Sequence, residues 1–236
     1  MYRVQKVLSL LGILSRRECE RKIQLGLITI NNRTARLGSI VKIGDKISYN
    51  NNKYLITNDT FIISTKILMY HKPINEIVSR HDPQRRDSVF NKLPDVVGKW
   101  INIGRLDYKT SGLLLFTNNG DIANKMMHPS MNIIRTYEVT VHGSFNIEKQ
   151  KLSLKGIDIG NSEIGKFIAL TQDKILKNKY IVKLNTGKNR EIRRIFSHLD
   201  CKVINLKRIS YGSIQLGKLK LKSFKFLDHK QISEFI

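Results

Sequence analysis

The possible folds are limited most by a series of short apolar runs that recur after residue 66. Each run is four or five residues long, and the runs lie at residues 67–70, 113–117, 137–141, 180–184 and 203–206. Runs of this length are typical of strands, and they alternate with stretches of helical spacing near 121–127 and 191–199. The pattern predicts a sheet domain of the α/β or α+β class.

The first fifty residues carry a different pattern, which predicts a small unit of two helices and short strands. Apolar residues at positions 4, 7, 8 and 11 follow helical spacing, and Gly12 ends this first helix. The sequence Ser15-Arg16-Arg17-Glu18 has the form of a capping box, which starts a second helix that runs to Gly26. Strands are predicted at 27–30, 35–41 and 46–49.

The small unit is expected to join the sheet domain through a linker near residues 55–62. The polar stretches 50–53 and 57–60 lack a packing pattern and mark this transition. We therefore place one domain at residues 1–58 and a second at residues 63–236.

The charge of the chain indicates a polyanionic partner. The 42 Lys and Arg residues against 19 Asp and Glu give a formal net charge of +23, so nucleic acid is the leading partner class. The alternative is general lysine usage on solvated faces. No apolar run has the length of a membrane span, and the N-terminus lacks the pattern of a signal peptide, so a cytoplasmic location is expected. Cys19 and Cys201 are isolated and predict neither a disulfide nor a zinc site.

The second helix carries cations where a helix normally disfavours them. Arg16 and Arg17 lie in its first turn, with Arg21 and Lys22 one turn on, and an RNA phosphate there would compensate the charge. The alternative is a solvated face that Glu18 and Glu20 partly neutralise. Residues 3–49 resemble the RNA-binding domain named after ribosomal protein S-four, and this resemblance implies RNA contacts for the four basic residues.

The densest signal is the segment GRLDYKTSGLLLFTNNGD, residues 104–121, in which a charged loop precedes an apolar strand. An Asp between Arg and Lys is usually a surface turn residue. However, the segment resembles the signature of the pseudouridine synthases, in the branch that modifies ribosomal RNA and carries an S-four-type domain in front. The resemblance covers nearly the whole chain. It implies that Asp107 is the catalytic carboxylate and that Arg105 holds the flipped-out nucleotide.

The same resemblance implies an α+β (mixed α/β) fold. A small N-terminal RNA-binding domain would precede a catalytic domain built on a central, mostly antiparallel sheet flanked by helices.

A predicted strand after residue 134 carries a candidate active-site tyrosine. Alternation places Tyr137, Val139 and Val141 on one face, and a core tyrosine with a hydrogen-bonded hydroxyl is the alternative. The family has its active-site tyrosine at this motif, usually after Lys-x, and Arg135 occupies the lysine position here. We assign Tyr137 to base stacking and to removal of the C5 proton.

Residues 186–196 form a glycine turn into a helix with an apolar stripe at Ile192, Ile195, Phe196 and Leu199. Arg193 lies at the edge of this stripe, where it could face inward if a carboxylate compensated its burial. The family pairs this arginine with the catalytic Asp. Arg190 and Arg194 are predicted to project to the opposite face, toward solvent or RNA phosphates, and Lys188 replaces a common arginine.

Three details resemble the branch of this family that acts on large-subunit ribosomal RNA. They are the Arg190-Glu191 pair in place of His-Gln, residues 82–94 and residues 127–129. The isomerisation of uridine to pseudouridine that the resemblance implies needs neither a cofactor nor a metal. We expect the protein to be a monomer. One alternative is a non-catalytic RNA-binding or ribosome-assembly protein. Another is a metal-dependent nuclease or deaminase, which the scattered six histidines and the lack of an HxE with PCxxC pattern disfavour.

Overall fold

The computed structural model describes residues 1–62 and 64–233, which divide into two compact units. The first unit comprises residues 1–66 together with 94–101 and 117–120. The second comprises residues 67–93, 102–116 and those from 121 onward. The domain boundary between residues 58 and 63 stays a prediction.

The first unit contains two helices and six short strands around one core. The helices are α1 (Val4–Leu10) and α2 (Arg16–Gln24). The strands are β1 (Tyr2–Arg3), β2 (Ile28–Ile30), β3 (Arg33–Thr34), β4 (Ile40–Val41), β5 (Lys46–Tyr49) and β6 (Asn52–Leu55). Strands β3, β2, β5 and β6 form an antiparallel sheet in that order. Val4, Val7 and Leu8 are fully buried, which confirms the predicted face of the first helix.

The capping box at the start of α2 is only half formed. The Ser15 hydroxyl accepts from the backbone N–H of Glu18 at 3.2 Å, as predicted. The Glu18 carboxylate instead accepts from the guanidinium of Arg21 at 2.6 and 3.0 Å. The carboxylate binds the guanidinium because a hydrogen bond between two charged groups is stronger than one to a neutral backbone N–H.

The polar stretch at 50–53 forms an element that the sequence pattern does not reveal. Asn50 and Asn51 have φ angles of 50° and 64°, which asparagine tolerates better than most residues. Two consecutive positive φ angles make a tight hairpin turn, and β6 pairs antiparallel with β5 directly after it. The stretch therefore extends the sheet of the small unit.

The rest of the chain forms eleven strands and four helices within the described residues. The strands are β7 (Ile67–Lys72), β8 (Ile101–Ile103), β9 (Ser111–Thr117), β10 (Arg135–His142), β11 (Ile157–Asp158), β12 (Ile164–Gly165), β13 (Ala169–Gln172), β14 (Lys179–Leu184), β15 (Lys202–Tyr211), β16 (Ile214–Gln215) and β17 (Phe224–Phe226). The helices are α3 (Gly120–Met127), α4 (Ile147–Lys155), α5 (Glu191–His198) and α6 (His229–Ser233). All five predicted strands and both predicted helices are confirmed.

The main sheet has the strand order β13-β14-β10-β15-β9-β7-β17. Strand β10 pairs antiparallel with β14 and β15, whereas β15 and β9 run parallel. This mixed, mostly antiparallel sheet with helices confirms the α+β fold. A core cluster that includes Val139, Val182, Ile195 and Phe196 packs α5 against the sheet.

Gly112 permits the parallel contact between β9 and β15. Its φ angle is +107°, and a Cβ atom there would lie 2.2 Å from the carbonyl oxygen of Arg208. No larger side chain fits such an approach, so the glycine of the SGLLLFT segment is a packing requirement. The close contact brings the loop before β9 up to strand β15.

Candidate active site

A cleft of about 770 Å³ in the second unit brings most of the predicted site residues together. Its charged lining residues are Arg105, Asp107, Arg135, Lys188, Arg190, Glu191, Arg193 and Arg208. Six cations against two carboxylates suit an anionic ligand such as a phosphodiester chain. Tyr137 lines the same cleft, as do Thr110 and the loop at 185–189.

The main chain around Asp107 is held by a buried lysine. The ammonium of Lys72, which is fully buried at the end of β7, donates to the carbonyl oxygens of Pro73, Asp107 and Thr110 at 2.9, 3.2 and 2.9 Å. The N–H of Thr110 also donates to the Asp107 carbonyl at 2.9 Å. Burial lowers the pKa of Lys72 to about 8, against the opposing effect of the Glu76 and Asp107 carboxylates. Because one buried ammonium binds these three carbonyls, the loop that carries Asp107 is held against the end of β7.

Sequence reasoning missed Lys72. The available signal was a lysine closing an apolar strand, where a charged residue needs a specific buried partner.

The carboxylate of Asp107 pairs with Arg190, which corrects the prediction that it pairs with Arg193. The Asp107 Oδ2 lies 3.8 Å from Nη1 of Arg190, and both side chains are partly exposed. Arg190 occupies the N-cap of α5 with a φ of 48°, a left-handed conformation that is uncommon outside glycine. Because the residue does not follow the helical path, its side chain reaches the cleft and not the outer face of the helix.

Arg193 anchors the loop that carries Asp107. Its guanidinium donates to the carbonyl of Lys109 at 2.8 Å and to that of Val203 at 3.2 Å. Burial lowers the pKa of Arg193, the charge of Arg190 lowers it further, and the charge of Asp107 opposes both. Arg193 thus acts on Asp107 through charge and through the loop, without a direct ion pair.

Arg194 does not face solvent, contrary to the prediction. Its guanidinium forms an ion pair with Glu163 and donates to the carbonyls of Ile159 and Gly160 at 2.9 and 2.7 Å. The ammonium of Lys188 likewise donates to the carbonyl of Ile164. Both cations therefore bind main-chain carbonyls of the hairpin formed by β11 and β12.

Glu191 shapes the loop at the rim of the cleft. It is 4% exposed, and the hydroxyl of Thr186 donates to its two carboxylate oxygens at 2.7 and 2.8 Å. The backbone N–H of Lys188 donates to the same group at 3.2 Å. A buried carboxylate needs such donors, so the loop at 186–190 is closed onto the start of α5.

Tyr137 lies between the core and the cleft. Its ring packs against the core cluster that contains Val139 and Val141, which confirms the predicted shared face. Its hydroxyl has no hydrogen-bond partner among the residues that the structure describes, unlike an ordinary buried tyrosine. A β-bulge between Thr136 and Tyr137 turns the strand at this point. The ring is free to contact a ligand in the cleft.

Three buried polar atoms on cleft residues have no hydrogen-bond partner in the described chain. They are Oγ1 of Thr110, Nε of Arg193 and Nη2 of Arg208. Unsatisfied buried polar groups are rare in folded proteins and often mark a binding site. Arg208 was also missed from the sequence. The one available signal for Arg208 was its inward position on a long strand of alternating burial.

The basic residues of α2 belong to the first unit and do not line the cleft. Arg16 and Arg17 are exposed. Arg21 and Lys22 form ion pairs with Glu18 at 2.6 and 3.7 Å. Within residues 1–62 and 64–233, no cluster of three His, Cys, Asp or Glu side chains could hold a metal ion, and no helix is long and apolar enough to span a membrane.

Comparisons with known proteins agree with this fold. The RNA pseudouridylate synthase family matches residues 66–198, and the S4 domain family matches residues 3–47. The chain therefore belongs to the RNA pseudouridylate synthase family and is an isomerase, as the GRLD segment predicts.

Two curated relatives resemble most of the chain. The ribosomal large subunit pseudouridine synthase B of Vibrio vulnificus is 37% identical over 92% of this chain and 68% of that protein. The protein of the same name from Buchnera aphidicola subsp. Acyrthosiphon pisum is 39% identical over 98% of this chain and 94% of its own. A crystal structure of a pseudouridylate synthase superposes with a TM-score of 0.70 and covers both chains fully at 21% identity, which shows a shared fold.

Proposed function

We propose that this enzyme converts a specific uridine to pseudouridine in large-subunit ribosomal RNA, with Asp107 as the catalytic carboxylate and no cofactor. The observation that carries the proposal is the Asp107 loop, which Lys72 and Arg193 hold at the wall of a strongly basic cleft. The choice of RNA is supported by the relatives, which are named for the large ribosomal subunit. An enzyme of this kind would work as a cytoplasmic monomer.

The reaction moves the uracil attachment from N1 to C5 and needs only groups that the cleft offers. Asp107 acts at the ribose while the C1′–N1 bond breaks, the base turns, and a C1′–C5 bond forms. Tyr137, which lines the same cleft as Asp107, stacks on the base and takes the C5 proton. Arg190 and Arg193 supply positive charge beside the carboxylate.

The target nucleotide must leave its stack before it can react. Unstacking costs a few kcal/mol, and Arg105 and Arg190 offset this cost through the RNA phosphates. Lys188 and Arg194 are already engaged on carbonyls, so their contribution to RNA binding is expected to be smaller than that of Arg105 and Arg190.

Target choice is tested by incubating the enzyme with transcripts of large-subunit and small-subunit ribosomal RNA. Carbodiimide modification followed by primer extension locates pseudouridine at single-nucleotide resolution. We expect a new pseudouridine only in the large-subunit transcript, or in large-subunit assembly intermediates if folded RNA is required. Modification of the small-subunit transcript alone would contradict the proposed target.

We further propose that residues 1–58 form an RNA-binding domain that delivers RNA to a catalytic domain at 63–236. Replacing both Arg16 and Arg17 by Glu should weaken RNA binding and reduce the slope of log Kd against log salt by roughly 2, since two phosphate contacts are lost. Filter binding over a range of salt concentrations measures both effects.

The matched control for this variant replaces Arg33 and Arg36 by Glu. These two arginines are also exposed in the first unit, and the change in charge is identical. Equal losses in the two double variants would show that general charge, and not the face of α2, binds the RNA.

A further inference from the structure

Arg208 on β15 carries a buried guanidinium for which the cleft shows no anionic partner. The residue is 2% exposed and lines the cleft. Its Nε donates to the carbonyl of Leu113 at 2.7 Å, and its guanidinium carbon lies 5.3 Å from the ring centroid of Tyr211. Nη2 has no partner, and no carboxylate lies within 4 Å of the guanidinium in the part of the chain that the structure describes.

Arg135 offers a direct comparison in the same cleft. Its guanidinium lies 5.0 Å from the same Tyr211 ring, but it donates to the carbonyls of Ile133, Asn185 and Thr186 and to the Tyr211 hydroxyl. These acceptors compensate the burial of the Arg135 guanidinium, so the residue can be explained by a structural role. Arg208 has one such contact, so its position is not explained by packing alone.

A buried charge without a partner is costly, and proteins retain it mostly where it is used. The charge of Arg208 would be neutralised by an anion that forms inside the cleft. Strand register shows where such an anion would lie: Arg208 is the direct cross-strand neighbour of Tyr137. Both residues line the cleft, so a uracil stacked on Tyr137 would lie near the Arg208 guanidinium.

We infer that Arg208 stabilises the uracil anion that forms when the glycosidic bond breaks. This inference rests on the proposed function. In that step the C1′–N1 bond breaks with its electron pair going to N1, and the negative charge spreads over N1, O2 and O4. Asp107 compensates the positive charge at C1′. The charge on uracil is discharged when the C1′–C5 bond forms, C5 loses its proton, and N1 takes one up.

A fixed donor or charge aimed at a developing anion is worth about 10²–10³ in rate. Arg208 would supply this effect without binding the neutral base more tightly. Its loss should therefore lower the single-turnover rate while leaving the RNA concentration for half-saturation nearly unchanged.

The test compares uridine with 5-fluorouridine at the target position of the same RNA. Fluorine makes uracil a more stable anion, so the fluorinated base depends less on help from the protein. Arg208→Gln should lower the rate of glycosidic bond cleavage by about 100-fold on uridine and by a clearly smaller factor on 5-fluorouridine. Arg208→Lys keeps the charge and should retain more activity than the glutamine variant. Cleavage is followed by nuclease digestion and chromatography after single turnover.

Arg135→Gln is the matched control, because it removes a guanidinium that is already satisfied by carbonyls. The rate of glycosidic bond cleavage by this control variant should fall by the same factor on uridine and on 5-fluorouridine. Equal losses on both substrates for Arg208→Gln, or no loss, would overturn the inference while wild-type turnover keeps the proposed function intact. Absence of turnover by the wild type would instead remove the proposed function.

If Arg208→Gln does not fold, the lysine variant carries the test. An ammonium cannot occupy the place of the planar guanidinium, so its support for the anion is weaker. The ratio of 5-fluorouridine to uridine rates should then rise above that of the wild type, and an unchanged ratio would contradict the inference.

Discussion

Replacing Lys72 by Met should lower turnover by at least about 100-fold, because a displacement of about 1 Å at a reacting group costs that much. The ammonium of Lys72 donates to the carbonyls of Asp107 and Thr110 as well as to that of Pro73, so it ties the Asp107 loop to the end of β7, and methionine offers no such donor. RNA affinity should stay near the wild-type value, since the Lys72 side chain is fully buried and cannot touch RNA. Single-turnover kinetics and filter binding separate the two quantities.

Lys109→Met provides the control for this variant. Lys109 lies on the same loop, but its ammonium is exposed and donates to the side chain of Asn75 at 2.9 Å. Its loss should change turnover by a much smaller factor than the loss of Lys72. Turnover of Lys72→Met within a few-fold of the wild type would show that the loop is held without this lysine.

Arg193→Ala should lower turnover by about 1,000-fold, whereas Arg190→Ala should lower it by roughly 10-fold or less. Arg193 is half-buried, ties the Asp107 loop to β15 and supplies charge to the site. The Arg190 pair is long and partly exposed, and such pairs contribute little. Single-turnover rates of the two alanine variants show which arginine contributes more to turnover.

Arg193→Lys tests whether geometry or charge matters in this position. A lysine keeps the charge but lacks the planar fork that spans the carbonyls of Lys109 and Val203. It should therefore fail to restore the wild-type rate. A larger loss for Arg190→Ala than for Arg193→Ala would make Arg190 the essential partner of Asp107.

The sequence predicts those parts of the fold that depend on local spacing. The alternation and length of apolar runs located the five strands, and the resemblance of the glycine-bracketed loop to the pseudouridine synthase signature pointed to Asp107, which lines the cleft. Each of these features is set by residues that are close together in the chain.

The partners of the cationic side chains depend on contacts between distant segments, which spacing does not encode. Lys72 meets Asp107 and Thr110 across 35 and 38 positions of sequence. Helical geometry places Arg194 on the outer face of α5, yet the carbonyls of a separate hairpin capture it. Arg190 adopts a left-handed backbone conformation that is not expected for an arginine. Its pairing with Asp107 was therefore not predictable from the sequence.

The most direct test of the account uses large-subunit ribosomal RNA that carries tritium at C5 of uracil. Formation of the C1′–C5 bond must release this hydrogen to solvent, so release reports one bond. Wild-type protein is expected to release tritium, and Asp107→Asn is expected to release none while binding the RNA and unfolding as the wild type does. Release by Asp107→Asn at the wild-type rate would contradict the role of Asp107, and no release by the wild type from free RNA or assembling subunits would contradict the proposed substrate.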